Sequence, residues 1–315
     1  MKNRGFWYTA RASAHKLARS GCDLTLLARG DWKETIDKNG LIIRHHVQHK
    51  TTVDRIKTIE TLHSEERFDV IFVVMQYTHL PAILPVLAAN VSERIVLVGN
   101  NPDTTATIHT LQTAAAHPKT IAFAFQTTGG RREGGQVISV HLGAKMELGG
   151  NHAALDPAYE TLLREILQKA GYKLAFFDNM DAWCKCHLAF ILPVAYACYA
   201  THGDLTKAGK GLLNQVIDAA DEGYRVLEQQ GYPILPPGEA DFFRTKRSRV
   251  YLLLWIMAKT AVGKLAASDH AMSALPEMTA LHQAFEQLKA QAGIPTPHWD
   301  ALAKYMAFSS LKTKR

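Results

Sequence analysis

In the first half of the chain, apolar residues fall in short unbroken runs separated by stretches with helical spacing. Residues 68–75 (FDVIFVVM) are a continuous β-branched and aromatic run, the pattern of a strand buried on both faces. Residues 94–99 (RIVLVG) form a second such run, followed by the turn-forming Asn100-Asn101-Pro102. Residues 23–27, 121–126 and 173–177 read as further strands. Residues 12–20, 31–39, 80–89 and 104–116 have the spacing of helices. Strands alternating with helices predict a parallel, doubly wound sheet. Residues 136–148 alternate in part and predict a hairpin-like extension.

From about residue 157 the pattern changes, and helical spacing dominates over 159–170, 182–199, 211–230, 242–262 and 276–292. The expected fold is therefore α/β. A Rossmann-like doubly wound parallel sheet occupies residues 1–178, and an all-helical substrate and dimerisation domain occupies 179–315.

Composition narrows the function. The chain of 315 residues is 47% hydrophobic and 21% charged, an ordinary globular mixture. Cys22, Cys184, Cys186 and Cys198 are too scattered for a disulfide framework, and the C-x-C pair has no second pair for zinc, so no metal is expected. The net charge of +7 is dispersed apart from Arg244, Lys246, Arg247, Arg249 and the tail Lys312, Lys314, Arg315. No nucleic-acid recognition motif accompanies it, so nucleic acid is not expected. No run reaches the roughly 18 apolar residues that span a bilayer. The reading is a cytoplasmic protein without a membrane partner. His187, His270 and His282 read as surface or core groups rather than ligands.

Several motifs are more specific together than alone. Residues 21–30 (GCDLTLLARG), 38–41 (KNGL), 96–101 (VLVGNN), 183–185 (WCK) and 293–297 (GIPTP) come one after another in fixed order. In this order and spacing the chain resembles the ketopantoate reductase (2-dehydropantoate 2-reductase) family. The resemblance implies an NADP-dependent oxidoreductase of pantothenate biosynthesis. It would reduce a small 2-oxo acid to the 2-hydroxy acid with NADPH, and family members often pair as homodimers. Lys185 matches the catalytic lysine, Glu277 the second active-site acid, and Asn100 the asparagine that bridges cofactor and substrate. A carboxylate near a lysine can position it, which is the role expected of Glu277. Arg29 ends the second strand, where an arginine fork suits a 2′-phosphate and so NADPH. Gln76 stands where the family has a cofactor-side lysine.

Other positions depart from the family. Its G-x-G-x-x-G turn, which brings backbone N–H groups to the pyrophosphate, should fall near Phe6, Tyr8 and Arg11, none of which is glycine. The asparagines four and eight residues after the lysine are replaced by Ala189 and Pro193. These replacements predict a more apolar pocket and a kink at Pro193. They also support an alternative reading, a catalytically impaired or non-catalytic ligand-binding member of the fold. One permissible codon choice for residues 5–12, GGT TTT TGG TAT ACG GCG CGG GCG, gives Phe-Leu-Val-Tyr-Gly-Ala-Gly when read two bases on. That is a first strand plus G-x-G, and it implies a frame change in the gene before Ala14. Sequencing the gene should show codons compatible with this second reading; incompatible codons would end the idea.

Overall fold

The computed structural model describes residues 6–8, 11–46, 48–126, 129–140, 144–260 and 263–312. Contacts divide the chain into two compact units, Met1–Met180 and Asp181–Arg315.

The first unit is built on an eight-stranded sheet of order β12-β11-β8-β7-β6-β1-β2-β5. Its strands are β1 (Phe6–Tyr8), β2 (Leu24–Leu27), β5 (Lys57–Ile59), β6 (Val70–Val74), β7 (Arg94–Val98), β8 (Thr120–Gln126), β11 (Lys145–Gly149) and β12 (Lys173–Phe177). Every pairing is parallel except that of β11 with β8. The apolar runs give this result directly: Val70, Ile71, Phe72 and Val73 are fully buried, as are Ile95 and Val96. The crossovers are helical, with α1 (Arg11–Arg19), α2 (Asp31–Asn39), α3 (Leu80–Ala89), α4 (Thr104–Ala114) and α5 (Pro157–Lys169).

A second sheet of order β4-β3-β10-β9 was not expected in full. It consists of β3 (Leu41–His45), β4 (Lys50–Asp54), β9 (Gly129–Glu133) and β10 (Gln136–Val140). The expected extension over 136–148 is split: β10 pairs antiparallel with β9, whereas β11 joins the main sheet. The small sheet turns polar groups inward, where α1 meets β3 and β4. Asp54, 8% exposed, bonds His15 at 2.5 Å and Arg19 at 2.8 Å, and His45 bonds Thr52 at 2.9 Å.

The second unit is helical. It contains α6 (Met180–Ala200), α7 (Lys210–Gln229), α8 (Glu239–Thr245), α9 (Arg247–Lys259), a π-helical turn at Lys264–Ser268, α10 (Asp269–Ser273), α11 (Leu275–Ala292) and α12 (Pro297–Lys312). By length and apolar composition α6 could cross a membrane, contrary to the sequence expectation, but most of it is buried as a core helix. It continues through Pro193. The single helix expected over 242–262 is broken at Lys246, whose φ of −114° and ψ of 34° leave the helical region. Each piece grips α7 by an arginine: Arg244 holds Asp221 and Glu228, and Arg247 holds Asp218. Two of the four basic residues of this cluster, Arg244 and Arg247, are therefore paired within the unit.

Helix α7 packs against α8, α9, α11 and α12. A Cβ at Gly223 would lie 3.0 Å from the Ala189 Cβ and 3.1 Å from the Trp299 ring, so only glycine admits α6 and α12 this closely. Glu222, also on α7 and 7% exposed, accepts the backbone N–H groups of His298 (3.1 Å) and Trp299 (2.8 Å). Its carboxylate thereby caps the start of α12, where orphan donors and the helix dipole both favour an anion. Glu222→Ala should cost about 2 kcal/mol of stability in urea denaturation, since it strands the buried Trp299 N–H and unpairs that of His298. An unchanged midpoint and slope would show that water replaces the carboxylate.

Candidate active site

In the first unit, parallel pairing brings the carboxyl ends of β2, β1, β6 and β7 to one edge, with Tyr8 in register with Leu26 and Phe72, and Val74 with Val98. The chain leaves β1 for β2 on one side and β6 on the other, so this edge is the topological switch point where open α/β sheets bind ligands. Arg29, Gln76 and Asn100 all come directly after strands that end here.

Asn100 sits in a held turn. Gly99 adopts φ +140°, and a Cβ there would come within 2.9 Å of the Met75 carbonyl oxygen. The Gly99 N–H donates to the Ala124 carbonyl at 3.0 Å. Asn101, 2% exposed, donates to Thr107 at 3.0 Å and accepts from the Asp103 N–H at 3.0 Å. Asn101 was not singled out from sequence; the Asx-type signal of Asn two residues before Asp was there to be read. The turn leaves the Asn100 carboxamide oxygen buried with no hydrogen-bond partner. Such a group costs free energy unless a ligand or water meets it. Arg29 is exposed, and only its Nε is used, donating to the Glu60 carbonyl at 3.2 Å. The rest of its fork is open to an anion. Gln76 is half-buried and precedes the turn at Tyr77–His79.

The pyrophosphate end is different. Phe6 and Tyr8 lie in β1 and Arg11 opens α1. Only Thr9 and Ala10, outside the described residues, stand between strand and helix, and neither is glycine.

In the second unit, α6 carries polar groups on two faces. Lys185 is 6% exposed, and its ammonium donates to Asp181 at 2.5 Å, itself 3% exposed. The Tyr232 ring lies 5.0 Å from the same nitrogen, within the range of a cation–π contact. No other acceptor meets the ammonium among the described residues, so one of its three donors is used. Breaking such a pair by removing one partner costs about 3–5 kcal/mol, because a bare charge stays buried.

At about 100° per residue, Trp183 and His187 lie on the opposite face of α6 from Lys185. Their rings stack at 5.2 Å and 15°. The His187 Nε2 is buried, and burial followed by the charge of His270 pushes its pKa down to about 3. His270 in turn lies 3.7 Å from Glu277, which is 2% exposed in the first turn of α11. The carboxylate bonded to the Lys185 ammonium is Asp181, an i,i+4 pair legible in M-D-A-W-C-K. His282, expected to be a bland group, bonds Tyr196 at 2.8 Å, and burial lowers its pKa. No cluster of three or more metal-binding side chains occurs among the described residues.

Residues 10–151 match the family model for ketopantoate reductase PanE/ApbA, so the resemblance read in the motifs holds over that stretch. No curated protein matches by sequence. Among solved structures, the 2-dehydropantoate 2-reductase from Geobacter metallireducens GS-15 is 17% identical with a TM-score of 0.75, covering 97% of this chain and 99% of its own. A D-mandelate dehydrogenase with NADH and anilino(oxo)acetate is 14% identical with a TM-score of 0.75, covering 99% and 100%. The dimeric ketopantoate reductase from Staphylococcus aureus is 12% identical with a TM-score of 0.69, covering 98% and 99%. At these identities the structures show the shared fold.

The His187 environment makes a prediction. An unfolded histidine titrates near 6.5, whereas this one stays neutral in the fold down to about 3. As pH falls through that window the unfolded chain takes up the proton first, so stability present above about 6.5 is lost toward 3. His187→Gln should flatten the pH dependence of urea stability there by on the order of a few kcal/mol relative to the parent. Parallel curves for the two proteins would refute the burial argument.

Proposed function

We propose that this chain, which over residues 10–151 is of the ketopantoate reductase family, is a reductase of a small 2-oxo acid that yields the 2-hydroxy acid with NADPH. The observation that carries the reading is the buried Lys185 ammonium with donors to spare. Reduction places negative charge on the carbonyl oxygen as the carbon gains a hydride, and a fixed cation with a transferable proton stabilises that oxygen best. Lys185 gives its proton to this oxygen and recovers one from water. The Arg29 fork takes the 2′-phosphate, and Gln76 and the open carboxamide oxygen of Asn100 face the cofactor at the sheet edge. NADPH supplies the hydride when bound. Glu277, set beside His270, serves as a second polar anchor for substrate. Ketopantoate, and with it a place in pantothenate biosynthesis, is the first substrate to test. A cytoplasmic homodimer is the proposed state, in line with the dimeric Staphylococcus aureus relative.

The two-residue link between β1 and α1 favours a second reading, a catalytically impaired or non-catalytic ligand-binding protein. It lacks the glycines that let backbone approach a pyrophosphate. Following NADPH fluorescence during titration separates the two. Saturable but weak binding is expected, strengthened when a G-x-G-x-x-G turn is built between β1 and α1. Lys185→Ala should lower turnover about 10²–10⁴-fold with an unchanged circular dichroism spectrum. Absence of NADPH binding both before and after the turn is restored would leave the second reading standing.

A further inference from the structure

We propose that Asp181 is the positioning residue for Lys185, a helix-start carboxylate that fixes the direction of the buried ammonium, with the Tyr232 ring as its second contact. The inference rests on the reductase reading of Lys185 and assigns the control of that group to a residue outside the family motifs.

Asp181 is the second residue of α6 and lies one turn before Lys185. An acid four residues ahead of a lysine is the favoured order on a helix, and a carboxylate in the first turn meets the positive end of the helix dipole. Most such pairs are solvated and weak. This one is not, since the side chains are 7% and 5% exposed. A lysine has four rotatable side-chain bonds, and ordering it costs entropy. The 2.5 Å bond to Asp181 and the Tyr232 ring at 5.0 Å together restrict where the nitrogen can sit. Its two remaining donors are thereby aimed rather than free to swing.

The test compares the parent chain with Asp181→Asn, Asp181→Glu and Lys185→Ala. NADPH-dependent reduction of ketopantoate and of pyruvate gives kcat and KM, and reductive methylation with formaldehyde and a borohydride, read at Lys185 by mass spectrometry, gives the state of the amine without turnover. D181N should lower kcat about 10²-fold with little change in KM, as misplacement of a reacting group does, and should speed methylation of Lys185. D181E should recover much of both. If D181N does not fold by circular dichroism, D181E carries the comparison, with smaller shifts in the same directions. D181N with kcat and methylation equal to the parent overturns the proposal. Turnover that survives K185A instead sinks the role given to Lys185 in the reductase reading and leaves the labelling result to judge Asp181. Should no variant turn over, faster methylation in D181N sustains the proposal and an unchanged rate ends it.

Discussion

A parallel sheet covered on both faces can offer chemistry only where its strands end. Around β1 the neighbours β2 and β6, and β7 beyond, all run the same way. Their carboxyl ends therefore converge whatever the sequence distance between them. Arg29, Gln76 and Asn100 share an edge for this reason alone, and no direct contact among them is required. What the local sequence adds is stiffness. Gly99 permits the close approach to Met75, and Asn101 ties the turn to the start of α4. The Asn100 carboxamide oxygen is left buried without a hydrogen-bond partner.

In the helical unit, helix periodicity does the same sorting. Residues two apart on α6 point in nearly opposite directions, and residues four apart share a face. Lys185 and His187 are neighbours in the chain yet belong to different environments. One is a cation held by Asp181 and Tyr232; the other is a neutral ring held by Trp183 beside His270 and Glu277. Two ionisable groups with separate surroundings come from a single turn of helix.

The fold was legible where burial is uniform. The strands β6 and β7 and the helices α2 and α3 announce themselves through apolar runs and spacing that no tertiary contact needs to modify. The small sheet was not legible, because β3 and β4 turn His45, Thr52 and Asp54 inward to meet His15 and Arg19 of α1. Alternation then carries polar residues on the buried face, and pattern reading takes them for a loop. Helix α12 was not expected either, although Trp299, Leu302 and Met306 recur at helical spacing and are all buried. Pro297 reads as a breaker, but it sits at the first helical position, where a proline is well tolerated. In the helical unit Asp181 stands four residues before Lys185, a spacing that needs no alignment to interpret.

Substrate choice also looks different once α6 is seen in place. Replacement of a family asparagine by Ala189 suggests from sequence a pocket made apolar. In the fold Ala189 is fully buried, and a Cβ added at Gly223 of α7 would lie 3.0 Å from the Ala189 Cβ and 3.1 Å from the Trp299 ring. The alanine is thus a packing partner of that glycine, and the two small residues together set the distance between α6 and α7. Close helix packing stands here in place of a polar group. What α6 still offers to a ligand, among the described residues, is the Lys185 ammonium, with two of its three donors unused.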